Sequence, residues 1–221
     1  MKSTLEIACF DYESAKIAAN SGANRIEYCH DYSTGGHTPD LDSTKKLIEQ
    51  VNIPVFVMLR IGTGFHFNPQ DFEVYKKNIE EFKKIGVHGF VIGFLNEQNE
   101  IDEDFNGRLL KLIKPLPCTF HRAIDQTSNY MKSIEKVIEM GFDRILTSGG
   151  PGNAPNYIPQ LAEAQNKFGN KIKILAGGGI RHTNLHDLLE KTKCAEYHTA
   201  AFIDGEINSD EIKKQLEILN R

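Results

Sequence analysis

The chain has few cysteines and none of them are paired by spacing: Cys9, Cys29, Cys118 and Cys194 stand far apart with no C-x-x-C motif. That argues against a disulfide framework and a structural zinc site, and predicts free thiols. It also lacks any run of Lys or Arg long enough to make a basic stripe, and its formal net charge is -4. Nucleic acid and anionic membranes are therefore poor partners for it. The opening stretch, Met1 to Cys9, is broken by Glu6 and is too short for the apolar core of a secretion signal, so a cytoplasmic location is expected. No H-E-x-x-H, G-x-S-x-G or P-loop pattern occurs, and no composition shift or low-complexity tract marks a linker. What is present is ordinary for a globular protein, with 25% charged and 40% hydrophobic residues in 221. These values predict one domain over residues 1–221, acting on small molecules.

Short apolar runs recur at Leu5 to Ala8, Arg25 to Cys29, Val55 to Arg60, Gly89 to Gly93, Thr119 to His121, Arg144 to Ser148, Ile172 to Ala176 and Ala195 to His198. Segments between them, such as Asp11 to Asn20, Phe72 to Ile85, Tyr130 to Met140 and Leu161 to Phe168, repeat apolar residues every three or four positions, the helical period. Strands alternating with helices pair in parallel, and about eight such units close a barrel. The predicted fold is therefore an α/β protein of the (β/α)₈ TIM-barrel type, with an open doubly wound sheet as the alternative. Gly22, Gly86 and Gly141 each end a helical segment just before a strand, the position of a left-handed C-cap.

Side chains alternate along a strand, so if Leu5 and Ile7 face the helices, Glu6 and Ala8 face the barrel axis. The same parity turns Arg25, Glu27 and Cys29 inward. Arg60, His121 and His198 close their strands with the same parity, and Arg122 and Asp125 follow in a loop. Inward carboxylates need partners. One reading pairs them in a structural ion network; the other makes Glu6, Glu27, Arg60, His121, Arg122 and His198 a catalytic set, with Glu27 or His121 as acid or base and the arginines as anion clamps.

Two glycine turns follow late strands, Thr147-Ser148-Gly149-Gly150 and Ala176-Gly177-Gly178-Gly179-Ile180. Glycine lets backbone N–H groups approach an anion, and loops after the last barrel strands often hold phosphate. Ser148, Gly149, Gly177, Gly178 and Gly179 are thus candidate anion donors, with plain tight turns as the alternative. Cys9 and Cys29 lie on sequential strands and are the soft metal candidates, a thiol pair that favours Cu(I). Their parity differs, however, which separates the thiols unless the loop has already turned. His182 and His186, at i and i+4, are a further possible metal grip or an exposed solvated pair.

In chain order, Leu5-Glu6-Ile7, Gly22-Ala23-Asn24-Arg25-Ile26-Glu27-Tyr28-Cys29, Gly35-Gly36-His37-Thr38-Pro39, Thr119-Phe120-His121-Arg122-Ala123, Leu146-Thr147-Ser148-Gly149, Ala176-Gly177-Gly178-Gly179-Ile180-Arg181 and Glu196-Tyr197-His198 resemble the motifs of the CutC family of copper homeostasis proteins. The resemblance spans nearly the whole chain. It implies a cytoplasmic barrel that associates as a homo-oligomer, a homodimer by analogy, and binds Cu(I). It also implies copper ligands at a cysteine two residues after the first-strand Glu and another at the end of strand two. Cys29 occupies the second position; Ala8 stands at the first, with Cys9 one place on. In the loop Arg60-Ile61-Gly62-Thr63-Gly64-Phe65, where relatives carry Arg-Pro-Arg-Gly-Gly-Asp, only the first Arg is kept. Two functions follow as expectations: a copper-binding homeostasis protein, or a barrel enzyme acting on a small anionic metabolite. A purely structural role fits less well, because an inert scaffold has no use for charges inside its mouth.

Overall fold

A computed structural model describes residues 3–221. Eight parallel strands, β1 (Thr4–Cys9), β2 (Arg25–Tyr28), β3 (Val55–Met58), β4 (Gly89–Ile92), β5 (Cys118–Phe120), β6 (Arg144–Thr147), β7 (Lys173–Gly177) and β8 (Glu196–Thr199), close into a barrel with β8 against β1. The fold is a (β/α)₈ barrel, and each strand lies within two residues of its apolar run. Around it run α1 (Tyr12–Asn20), α2 (Leu41–Gln50), α3 (Phe72–Ile85), α4 (Glu103–Ile113), α5 (Tyr130–Met140), α6 (Ile158–Phe168), α7 (His182–Thr192) and α8 (Ser209–Leu219). Asp11, Asp40, Asp102, Asn129 and Asn208 cap five of these helices by accepting a backbone N–H from the first turn, which satisfies donors the helix itself cannot. Gly86 and Gly141 end α3 and α5 in the left-handed region. A short hairpin, β9 (Phe202–Ile203) and β10 (Glu206–Ile207), is inserted between β8 and α8. Its turn, Asp204-Gly205, has φ of 52° and 86°, the dipeptide and geometry that suit a tight hairpin.

Parity sorts the strand residues into two layers. Leu5, Ile7, Cys9, Ile26, Val55, Val57, Phe90 and Tyr197 pack outward in the main core beneath the helices. Inside the barrel a separate small cluster holds Cys29, Phe56, Met58 and Val91. The register Glu6↔Arg25, Ala8↔Glu27 and Glu6↔His198 puts the polar interior residues of β1, β2 and β8 on one face.

The lower interior is a closed ion network. Arg25 pairs with Glu6 and, at 2.6 Å, with Glu196; Arg144 reaches Glu196 through Nε at 2.6 Å. Both guanidinium groups lie over the Phe56 ring, at 5.3 and 5.4 Å from its centroid. That ring fills the axis because β4 offers no side chain at Gly89, where a Cβ would fall 2.6 Å from it. Two carboxylates balance two guanidiniums, which is the condition for keeping charge in a core. The structural reading of the inward charges therefore applies to this floor, and the residues above it are arranged differently.

Candidate active site at the mouth of the barrel

Glu6 joins floor and mouth. Its Oε2 meets Arg25, and its Oε1 lies 2.7 Å from Nδ1 of His198. Nε2 of His198 is in turn 3.7 Å from Oε2 of Glu27. Burial would raise the Glu6 carboxyl, but the Arg25 charge and the His198 contact outweigh it and hold it well below the usual carboxylate range. Glu27 is pushed up, by burial first and by the Glu6 charge. For His198 burial works downward, yet Glu27 and Glu6 raise it above its ordinary value. Glu27 and His198 are thus the two groups here whose proton affinity the fold raises, beside a fixed anion, Glu6. The thiol of Cys29 donates to Oε2 of Glu27 at 3.6 Å, while Oε1 is buried without a partner.

Across the mouth, Arg60 is only 7% exposed and, among the described residues, has no carboxylate within ion-pair reach. Its Nη2 donates to the Thr34 carbonyl, and its buried Nε has no acceptor. Burial lowers its pKa. His121 accepts the Ala123 N–H at Nδ1, 3.2 Å away, which leaves the ring proton on Nε2. That Nε2 is also buried and unpartnered. Burial, then the Arg60 charge, push His121 down to about 3. It is a neutral donor at physiological pH, so the role it fits is hydrogen-bond donor rather than base.

The glycine turns divide. The Ser148 N–H goes to Asp125, at 3.0 Å, and the Gly149 N–H to the Thr147 hydroxyl, at 2.8 Å. Ser148 and Gly149 are therefore corrected from anion donors to supports, because the Asp125 carboxylate from the preceding βα loop already occupies the Ser148 amide and the Thr147 hydroxyl the Gly149 amide. Gly177 is a packing glycine, its absent Cβ leaving room for Leu146 and His198. Gly178 and Gly179, with φ of 97° and 68°, carry amides that no acceptor takes among the described residues. Arg122 lies against Gly178, whose Cβ would fall 3.2 Å from Nη1. It is held there by Asp125, Ser148 and the Gly152 carbonyl through Nε and Nη2, and its Nη1 has no acceptor among the described residues. Glu27, Arg60, His121, Arg122, Gly178 and His198 all line one cavity of about 520 Å³.

Residues 3–203 match the family model described as CutC family. A human relative named copper homeostasis protein cutC homolog is 36% identical over 198 residues, covering 89% of this chain and 72% of its own. This chain belongs to the CutC family. The CutC protein of Proteus mirabilis is 39% identical over 198 residues, covering 89% of this chain and 78% of its own. A CutC structure from Streptococcus agalactiae superposes with a TM-score of 0.84 at 26% identity, covering 90% of this chain and 98% of that one.

In this CutC chain the two-cysteine copper site does not form. Cys9 packs in the outer layer with its thiol toward the Ile7 carbonyl, whereas Cys29 packs inside the barrel. Alternation along β1 is the cause, and Ala8 takes the inward place that a ligand would need. Burial raises both thiols well above their ordinary value, so neither is a ready thiolate. Among the described residues, the grouping of three possible metal ligands is Glu6, Glu27 and His198, a set without sulfur that suits Cu(I) poorly, and its Glu6 is already paired with Arg25. His182 is tied to Glu211, at 2.5 Å, and with His186 lines a separate surface pocket. Residues that the sequence reading did not single out, Phe10, Tyr32, Phe65, Asn153 and Arg181, complete the wall of the mouth. Each lies in the stretch between a strand and the helix after it, the one signal that could have found them. Among the described residues no helix is long and apolar enough to cross a membrane.

Proposed function

We propose that this chain serves copper homeostasis in the cytoplasm, the role in the names of its human and mouse relatives, by acting as an enzyme on a small anionic molecule at the barrel mouth. The observation that carries the molecular part is Arg60, a buried guanidinium without a carboxylate partner. Such a charge is costly to keep unless a ligand supplies the anion. The amides of Gly178 and Gly179 with Nη1 of Arg122 take the anionic head. Arg60 and the Nε2–H of His121 face a second oxygen of the ligand and offset charge that builds there. Glu27 moves the proton. With a proton on His198 and none on Glu27, Glu27 is a base whose free Oε1 meets the ligand; protonated, the same carboxyl is an acid.

Phosphate tests the head site. It should raise the melting temperature of wild type and of His182→Ala. In Arg122→Ala the rise should vanish, since losing a charged contact of roughly 1.5–3 kcal/mol weakens binding about tenfold or more. A rise in wild type and Arg122→Ala alike, or in neither, removes the anion reading.

Direct Cu(I) binding is the second reading, favoured by one observation: Cys29 and Met58 pack in the same interior cluster, so two sulfurs lie in one layer of the barrel. Anaerobic Cu(I) titration against a chelator should then show one equivalent per chain, lost in Cys29→Ser and kept in Cys9→Ser. Equal binding by wild type and Cys29→Ser removes it. The same reading of relatives extends to a homodimer, which light scattering at micromolar concentration checks and a monomeric mass contradicts.

A further inference from the structure

The mouth is divided by chemistry. Past the ends of three consecutive strands, β1, β2 and β3, stand Phe10, Tyr32 and Phe65, and all three line the cavity. Phe202 of the β9–β10 hairpin extends this side. It stacks on Tyr32 with centroids 4.7 Å apart and planes 5° from parallel, while Phe10 meets the two rings edge-on at 5.1 and 5.8 Å. Arg181 fastens the hairpin in place, donating to the carbonyls of Ile180 and Phe202 at 2.8 and 3.1 Å. Facing this group, Phe65 leans over His121 and Arg60, at 5.1 and 5.8 Å. The opposite half of the mouth, built on β5 to β7, carries the free donors of Arg122, Gly178 and Gly179.

Tyr32 is 52% exposed although it belongs to a packed ring cluster. The cavity, at about 520 Å³, is of the size that takes drug-sized ligands and is far larger than a phosphate or carboxylate needs. Rings set both edge-on and face-on around such a space favour another flat ring, because aromatic pairs gain from offset and perpendicular geometry beyond the area they bury. We propose that the molecule bound here is an anion carrying a flat aromatic or heteroaromatic body. Its charged head sits at Gly178, Gly179 and Arg122, its ring lies among Tyr32, Phe10 and Phe65, and the bond between them passes over Glu27. This rests on the anion reading above and adds the class of the rest of the ligand.

Calorimetric titration of the intact protein with phenyl phosphate, cyclohexyl phosphate and methyl phosphate tests it. Burying one ring should make phenyl phosphate bind about tenfold or more tighter than methyl phosphate, with cyclohexyl phosphate weaker than phenyl phosphate. In Tyr32→Ala, a change at a half-exposed position that leaves the core intact, the phenyl-to-methyl ratio should fall toward one. Phe65→Ala should lower it independently. Phenyl and methyl phosphate binding with equal affinity overturns the aromatic inference while the anion reading stands, and cyclohexyl phosphate matching phenyl phosphate overturns it too. If none of the three binds, the anion reading falls and takes this one with it.

Discussion

Replacing Arg60 by methionine should make the ligand-free protein more stable while damaging its site. Arg60 keeps its charge at 7% exposure with one carbonyl acceptor, no carboxylate and a free Nε. Swapping buried ionic groups for apolar ones of similar volume has gained about 1–4 kcal/mol elsewhere. The cavity admits water to the guanidinium, and its contact with Thr34 would be lost, so the lower part of that range applies, about 1–2 kcal/mol. For a chain of this length that corresponds to a rise of roughly 2–8 °C in melting temperature. Thermal unfolding without added anions measures the gain. Binding is read separately with phosphoglycolate, whose carboxylate extends from its phosphate toward Arg60. Wild type should prefer it to inorganic phosphate, and Arg60→Met should lose the preference. If Arg60→Met melts below wild type and keeps the preference, Arg60 is a structural residue and the argument from its missing partner is wrong.

His121 predicts an acid-side weakness. Its pKa falls from 6.5 to about 3 on folding, so between those values the unfolded chain holds a proton the native state refuses. Its contribution is complete above the upper value and is lost as pH falls, at about 1.4 kcal/mol per pH unit. Urea midpoints compared between about pH 7 and pH 5 should fall less in His121→Gln than in wild type; parallel falls contradict the assignment. Glu196→Gln should cost about 3–5 kcal/mol by leaving Arg144 and one side of Arg25 unpaired in the floor, seen as a lower melting temperature. An unchanged one would mean the network holds nothing.

How far the sequence could be read depended on whether one strand or two had to be known. Parity along a single strand was enough to turn Glu6, Glu27 and Cys29 inward and to separate Cys9 from Cys29, as the packing layers bear out. The floor was harder. That Glu196 meets Arg144 and Arg25 depends on the stagger between strands 6, 8, 1 and 2, which no local pattern encodes. The same limit explains Ser148 and Gly149: their glycine-turn signature was legible, but not that Asp125, 23 residues before Ser148 in the chain, would take the Ser148 amide. Arg60 was legible as inward and charged. Its lack of a partner was not, since absence of a neighbour is a property of the whole mouth.

Glu6 and His198 are 192 residues apart in sequence and meet across the β1–β8 seam, where the barrel closes. No open sheet, however many strands it had completed, could bring them together. The Glu6–His198 contact therefore exists only once the ring is closed. A ribosome-bound or truncated chain lacking β8 would have the Glu6–Arg25 half of the arrangement and none of its chemistry. An imidazole signal from His198, followed during refolding, would time the closing of the ring itself.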